Sequence, residues 1–99
     1  MPSYKLSLEA RNDLAEVWLY LAEYGNDAIA DHFIKNLELV CAKISKMPNM
    51  GSPQDHIKSG LRKHAYKSYS IYYDSIEPGH IVIRRFWHQS RDLDNLSMQ

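Results

Sequence analysis

The chain has 99 residues, with twelve basic and twelve acidic side chains and a formal net charge of zero. That length suits one domain with a small core, read here as spanning residues 1–99, and the neutral balance argues against a general nucleic-acid binder. A hydrophobic share of 44% and a charged share of 24% exclude a disordered chain, and no apolar run approaches the ~20 residues needed to span a bilayer.

The opening "MPSYKLSLEA" has no basic region followed by a long apolar stretch, so no signal peptide is expected. Within it Tyr4, Leu6 and Leu8 alternate with Lys5 and Ser7, the pattern of a short strand with one buried face. Ser7 is placed to cap a first helix over about residues 8–24, with Glu9 favoured in its first turn by the helix dipole. Leu14, Val17, Trp18 and Leu21 form its apolar stripe. Gly25 is expected to end it in a left-handed conformation. Asn26 or Asp27 then caps a second helix reaching about Lys46, with Ile29, Phe33, Leu37, Val40, Cys41 and Ile44 as its stripe. So short a connection makes an antiparallel hairpin, in which Trp18 and Phe33 are large enough to dominate the packing. Cys41 is the single cysteine. It rules out an internal disulfide, fits a reducing cytoplasm, and reads as a small hydrophobe rather than a nucleophile.

"MPNMGSPQDHIKSG" (residues 47–60) has two Pro and two Gly and reads as a loop. Strand patterns follow in "LRKHAY" (61–66), in "SYSIYYD" (68–74) with Tyr69, Ile71 and Tyr73 on one face, and in "HIVIRRFW" (80–87). Glu77-Pro78-Gly79 is a turn. The last strand is apolar on both faces, as a strand covered on two sides would be. A polar tail closes the sequence, with a helical turn after Asp92. The order β-α-α-β-β-β predicts an α+β fold, a helical hairpin on one face of a four-stranded, mostly antiparallel sheet that the first strand joins.

The five His are scattered, without the ligand spacing of a metal site, and there is neither a Gly-x-Ser-x-Gly elbow nor a Gly-rich phosphate loop. No metal or cofactor is expected. Charge is unevenly spread: residues 1–50 carry five Lys/Arg against seven Asp/Glu, and residues 51–99 seven against five, with four of the five His. The basic half includes "RKHAYKSYSIYYD" (62–74). Metal-free RNA cleavage needs a base for the 2′-OH, cations for the phosphate and an acid for the leaving group. Arg62, Lys63, His64, Lys67, Tyr69, Arg84, Arg85, His88 and Arg91 supply those types. Alternation sends Arg62 and His64 to one face and Lys63 to the other, and places Arg84 and His88 together with Arg85 opposed. The structural alternative is a solvated basic face, its tyrosines packed beneath the helices as cross-strand pairs.

Taken in order, "YKLSLEARNDLAEVWLYLAEYG", "MPNMGSP", "SGLRKHAYKSYSIYYD" and "IVIRRFWHQSRDL" resemble the ParE family of bacterial toxin–antitoxin systems, within the RelE/ParE superfamily. The resemblance covers nearly the whole chain and implies the same hairpin-on-sheet fold. The RelE-like branch of that superfamily cuts messenger RNA on the ribosome. It places an Arg where this chain has Ser70 and another where it has Ser90, and uses a Tyr in a tail that here has none. Lys63 matches one of its lysines. The resemblance therefore implies the ParE branch, a non-enzymatic toxin that inhibits DNA gyrase by binding it. It also implies neutralisation by a ParD-like antitoxin in a cytoplasmic hetero-oligomer, with operator DNA bound through the antitoxin complex rather than by this chain alone. Alternatives are a RelE-like ribonuclease using His64 or His88, and a non-toxic interaction module. The antitoxin would lie on exposed faces of the two helices and add a strand to the sheet edge. Candidate target contacts are Arg62, Lys63, Arg84, His88 and Arg91. The competing role for Arg62 and Arg91 is ion pairing to Asp74, Asp92 or Asp94.

Overall fold

Ser7 organises the first junction. Its hydroxyl accepts the Ala10 N–H at 3.0 Å, capping helix α1 (Leu8–Tyr24), and donates to the Arg84 carbonyl at 2.9 Å. One side chain thus starts the helix and ties its origin to the last strand. Asn26 caps α2 (Asp27–Lys46) through the Ile29 N–H at 2.9 Å. The computed structural model describes residues 3–96. Its strands are β1 (Ser3–Leu6), β2 (Ser52–Pro53), β3 (Arg62–Tyr66), β4 (Tyr69–Glu77) and β5 (His80–His88). They form one sheet in the order β1-β5-β4-β3-β2. β1 pairs β5 in parallel, and the other pairings are antiparallel.

The α+β class and the element order agree with the sequence reading, and four details differ. The sheet has five strands rather than four, because Ser52–Pro53 inside the expected loop makes a two-residue ladder with Lys63 and Arg62. Pro cannot donate to a ladder, which confines this strand to the edge. Gly25 sits at φ −130°, not in the left-handed region. Space is what requires glycine there, since a Cβ would lie 2.9 Å from the Leu21 carbonyl oxygen and 3.2 Å from Ile29 Cδ1. Trp18 and Phe33 do not fill the gap between the helices either. Trp18 is half-buried and donates its indole N–H to Asp31 at 2.8 Å, while Phe33 packs on the rings of Tyr66 and Tyr69 at 5.7 Å. Ile29, expected on the stripe, is 51% exposed.

The helix-facing core joins Ala10 of α1 and Leu37, Cys41 and Ile44 of α2 to Ile71, Tyr73, Ile81, Ile83 and Phe86 of the sheet. Each large apolar side chain buried here contributes roughly 1.5–3 kcal/mol. Burial pushes the Cys41 thiol up to about 12, so it stays protonated and behaves as packing. On the opposite face Leu61, Tyr72 and Trp87 form a second cluster under Ile57 and Leu96. β5 is therefore covered on both sides, as its composition predicts.

One polar group lies in this apolar frame. Asp13, on the inner face of α1 at 5% exposure, accepts the Phe86 N–H at 3.1 Å and both Nε and Nη2 of Arg85 at 2.7 and 2.9 Å. β1 ends opposite Ile83, so among the described residues no strand pairs with β5 on this side beyond that point, and the Asp13 carboxylate takes the place of one. Hydrogen bonding to Asp13 raises the Arg85 pKa above its already high value.

At the other end of the sheet, Tyr73 holds the crossover loop. Its hydroxyl donates to the Pro48 carbonyl at 2.7 Å and accepts the Gly51 N–H at 2.9 Å. A Cβ on Gly51 would collide with that hydroxyl and lie 2.9 Å from the Lys63 carbonyl oxygen.

Asp13→Ala is expected to lower unfolding stability by about 3–5 kcal/mol, because it removes the carboxylate that neutralises a largely buried guanidinium and accepts a ladder N–H. Asp13→Asn keeps an acceptor for Phe86 and should cost clearly less; urea melts of the two variants check the order. Gly51→Ala should destabilise the wild-type chain but cost less in a Tyr73→Phe background. The single Tyr73→Phe change should cost about 1–3 kcal/mol, and a double-mutant cycle by thermal melting measures the coupling.

Candidate functional site

The faces of the sheet sort the basic residues. In the β3/β4 register Arg62 lies opposite Tyr73 and His64 opposite Ile71, on the helix side, while Lys63 lies opposite Tyr72 on the other. This is the alternation expected from the sequence. In β5 it fails. The register shifts between Tyr72 and Tyr73, which pair with Arg85 and Ile83 respectively, so Arg84 is the extra residue of a bulge. Alternation restarts after it. Phe86 and His88 face the helices with Ile71 and Tyr69, whereas Arg84 bonds Asp74, whose strand neighbour Tyr72 belongs to the far-side cluster. Arg84 and His88 therefore do not share a face as expected.

Two of the five candidate contacts hold structure together. Arg62 donates to the carbonyls of Gly51 and Asn49, the second at 3.4 Å, clamping the crossover loop to β3. Arg84 pairs with Asp74 at 3.0 Å, and Lys58 reaches the other carboxylate oxygen at 3.4 Å. Asp74 is thus the partner of Arg84 and Lys58, not of Arg62. Arg91 makes no ion pair with Asp92 or Asp94 among the described residues. Its guanidinium lies 3.9 Å from the centre of the Trp87 ring, with that of Arg85 at 4.8 Å, a cation–π arrangement.

The remaining candidates line two hollows that meet at Arg91. A cleft of about 220 Å³ on the far side of the sheet gathers Lys63, Ser70, Tyr72, Trp87 and Arg91. A wider one of about 400 Å³, between α1 and the end of β5, is bordered by Glu16, Tyr20, Tyr69, His88 and Arg91. In the second, His88 meets Tyr69 edge-on at 5.0 Å, and its Nδ1 lies 2.6 Å from the Ser90 hydroxyl. Burial raises the phenols of Tyr69, Tyr72 and Tyr73 above their ordinary value of 10.0, which keeps them as donors rather than bases near neutral pH. Lys67 is at the β3–β4 turn with φ 53°, its carbonyl accepting from the Gln89 side chain at 3.3 Å.

This arrangement divides the groups that a metal-free nuclease must bring together. The histidines His64 and His88 face the helices, and Lys63 lies across the sheet from them. Ser70, a hydroxyl rather than a cation, lines the Lys63 cleft. Among the described residues no three of His, Cys, Asp and Glu gather as a ligand set.

Asp13 and its pairing with Arg85 were missed in reading the sequence, although a signal was present. Asp13 stands three residues after Ala10 and four before Val17, on the buried stripe where an unpaired charge would be costly.

The family model for the ParE toxin of the type II toxin–antitoxin system parDE matches residues 4–93. The chain is 31% identical over 74 residues to Toxin ParE1 of Caulobacter vibrioides, covering 74% of this chain and 76% of that one. It is 28% identical over 91 residues to Toxin ParE1 of Mycobacterium tuberculosis, covering 92% and 93%. Its fold is similar to that of a chain in a structure described as "Chromosomal ParDE TA system from P. aeruginosa", with a TM-score of 0.74 at 17% identity over 89% of this chain and 96% of that one. The chain belongs to the ParE family of toxins of type II toxin–antitoxin systems.

Proposed function

We propose that this chain is a cytoplasmic toxin that stops replication by binding DNA gyrase without chemistry of its own, and that a ParD-like antitoxin holds it inactive in a hetero-oligomer. The observation that carries the reading is the family match over residues 4–93, taken with a sheet that puts His64 and His88 on the opposite face from Lys63. Of the target contacts suggested by the sequence, Lys63, His88 and Arg91 stay in the proposal because each borders a hollow. Arg62 and Arg84 leave it, their side chains being committed to the loop carbonyls and to Asp74.

The antitoxin is assigned to the outer surface of the hairpin. Leu19, Tyr20 and Tyr24 of α1 and Leu39 of α2 are exposed, and Tyr20 and Tyr24 stack at 4.8 Å between ring centres. Such a surface suits the apolar side of a partner helix, and the open edge of β1 offers a ladder for an added strand. Operator DNA would then be read by the complex, through the antitoxin.

Induced expression in a bacterium without antitoxin is expected to stop labelled thymidine incorporation before labelled methionine incorporation. Methionine stopping first would replace this reading with ribosome-dependent RNA cleavage, and no effect on either would leave a non-toxic binding module. The paired change Leu19→Asp and Tyr24→Asp should weaken binding to the co-encoded antitoxin roughly tenfold or more while the melting temperature stays within about 2 °C. Unchanged affinity in a calorimetric titration would remove the antitoxin from this surface.

A further inference from the structure

The far-side cleft is lined by several side chains that can donate hydrogen bonds. Lys63, Ser70, Tyr72, Trp87 and Arg91 line it together, and no acidic residue does. Among the described residues, the Trp87 indole Nε1–H is enclosed without a hydrogen-bond partner, and Trp87 itself is 1% exposed. A buried donor left unpaired is costly, and native structures rarely keep one without a reason. Trp18, the other tryptophan, illustrates the contrast: its indole, on the hairpin, donates to Asp31 at 2.8 Å although it is far less buried.

Neighbouring cations show the same imbalance. Asp13 is engaged by Arg85 and Asp74 by Arg84 and Lys58, and among the described residues neither Asp92 nor Asp94 forms an ion pair with Lys63 or Arg91. Lys63 is fixed by its place in β3 opposite Tyr72, and Ser70 by its place in β4 opposite Trp87. Arg91 follows β5 in a turn closed by its own N–H to the His88 carbonyl at 3.0 Å, and its guanidinium rests on the Trp87 ring at 3.9 Å. The side chains of Lys63, Arg91, Ser70, Tyr72 and Trp87 thus line one hollow of about 220 Å³. Tyr72 and Trp87 of the far-side apolar cluster are part of its lining, and an apolar lining strengthens charge-assisted bonds made beside it.

From this convergence we propose that the cleft between β3, β4, β5 and the segment after β5 is an oxyanion site, in which Lys63 and Arg91 supply the charge and Ser70, Tyr72 and Trp87 the neutral donors. The ligand chemistry is a tetrahedral phosphate, free or esterified, or a carboxylate; both accept several hydrogen bonds and carry the charge that the lining lacks. The site binds and does not cleave, because His64 and His88 are on the other face of the sheet. It does not rest on the gyrase reading, and it is tested with an inorganic probe on the isolated full-length chain.

The experiment is a titration of the uniformly 15N-labelled chain with sodium phosphate, and separately with sodium acetate, at constant ionic strength and pH 7, following the two indole N–H resonances. The expected result is a saturable shift of the Trp87 resonance with the Trp18 resonance still, weakened roughly tenfold or more by Lys63→Ala or Arg91→Ala and unchanged by Lys35→Ala, which removes an equal charge from α2. Tighter binding of phosphate would identify a phosphate-bearing ligand, and tighter binding of acetate an acidic side chain of a protein partner. A Trp87 resonance that does not saturate with either anion overturns the proposal. So does a shift that survives both Lys63→Ala and Arg91→Ala in variants whose spectra remain folded.

Discussion

The fold is closed by one carboxylate. β1 is four residues long and β5 nine, so the parallel pairing leaves about half of β5 with no strand along that side among the described residues. A helix normally covers a sheet face and has no backbone groups to offer an edge. Here α1 passes beside that edge, and Asp13 accepts a ladder N–H as a strand carbonyl would, while its charge is matched by Arg85 from the same strand. The position of α1 is thereby fixed in both translation and rotation. The register of β5 near its end depends on that placement, and with it the location of His88, Ser90 and Arg91.

The bulge at Arg84 is the second constraint, and it works with the first. Without it, alternation would put Arg84, Phe86 and His88 together on the far face and turn Arg85 and Trp87 under the helices with Ile83. With it, Arg84 stays on the far side against Asp74, Phe86 enters the helix-facing core, and Arg85 and Trp87 turn together to the far side, where Arg91 also lies against Trp87. The extra residue thus gives the sheet two unlike surfaces: one packed and aromatic under the hairpin, the other carrying a small cluster with a basic rim. The separation of His88 from Lys63 follows from the same bulge, and that of His64 from plain alternation in β3.

The sequence shows these layers unevenly, for physical reasons. The helices were legible to the residue because both have a capping side chain and a 3.6-residue apolar period, and Glu77-Pro78-Gly79 announced its turn, with Gly79 at φ 81°. The bulge was not, since two adjacent arginines carry no difference in polarity by which a change of face could be read. Ser52–Pro53 was too short for a pattern, and its Pro pointed to a loop. Trp18 was read as core from its size, but its N–H needs an acceptor and found one at the rim, in Asp31. Arg62 was legible as important but not as structural, because its partners are backbone carbonyls, which leave no trace in the side-chain sequence.

The parallel pairing of β1 with β5 joins residues 3–6 to residues 80–83, a separation that spans most of the chain. Contacts so distant in sequence close late and slow folding. During synthesis the hairpin of α1 and α2 is complete long before β5 exists, yet the Asp13 contact, the bulge and the basic rim all require β5. A nascent chain therefore presents its helical surface well before it has assembled the sheet end. At translation rates of about 5–20 residues per second, that interval is set by the tempo of the ribosome, so the order of the strands acts as a built-in delay between recognisability and completion.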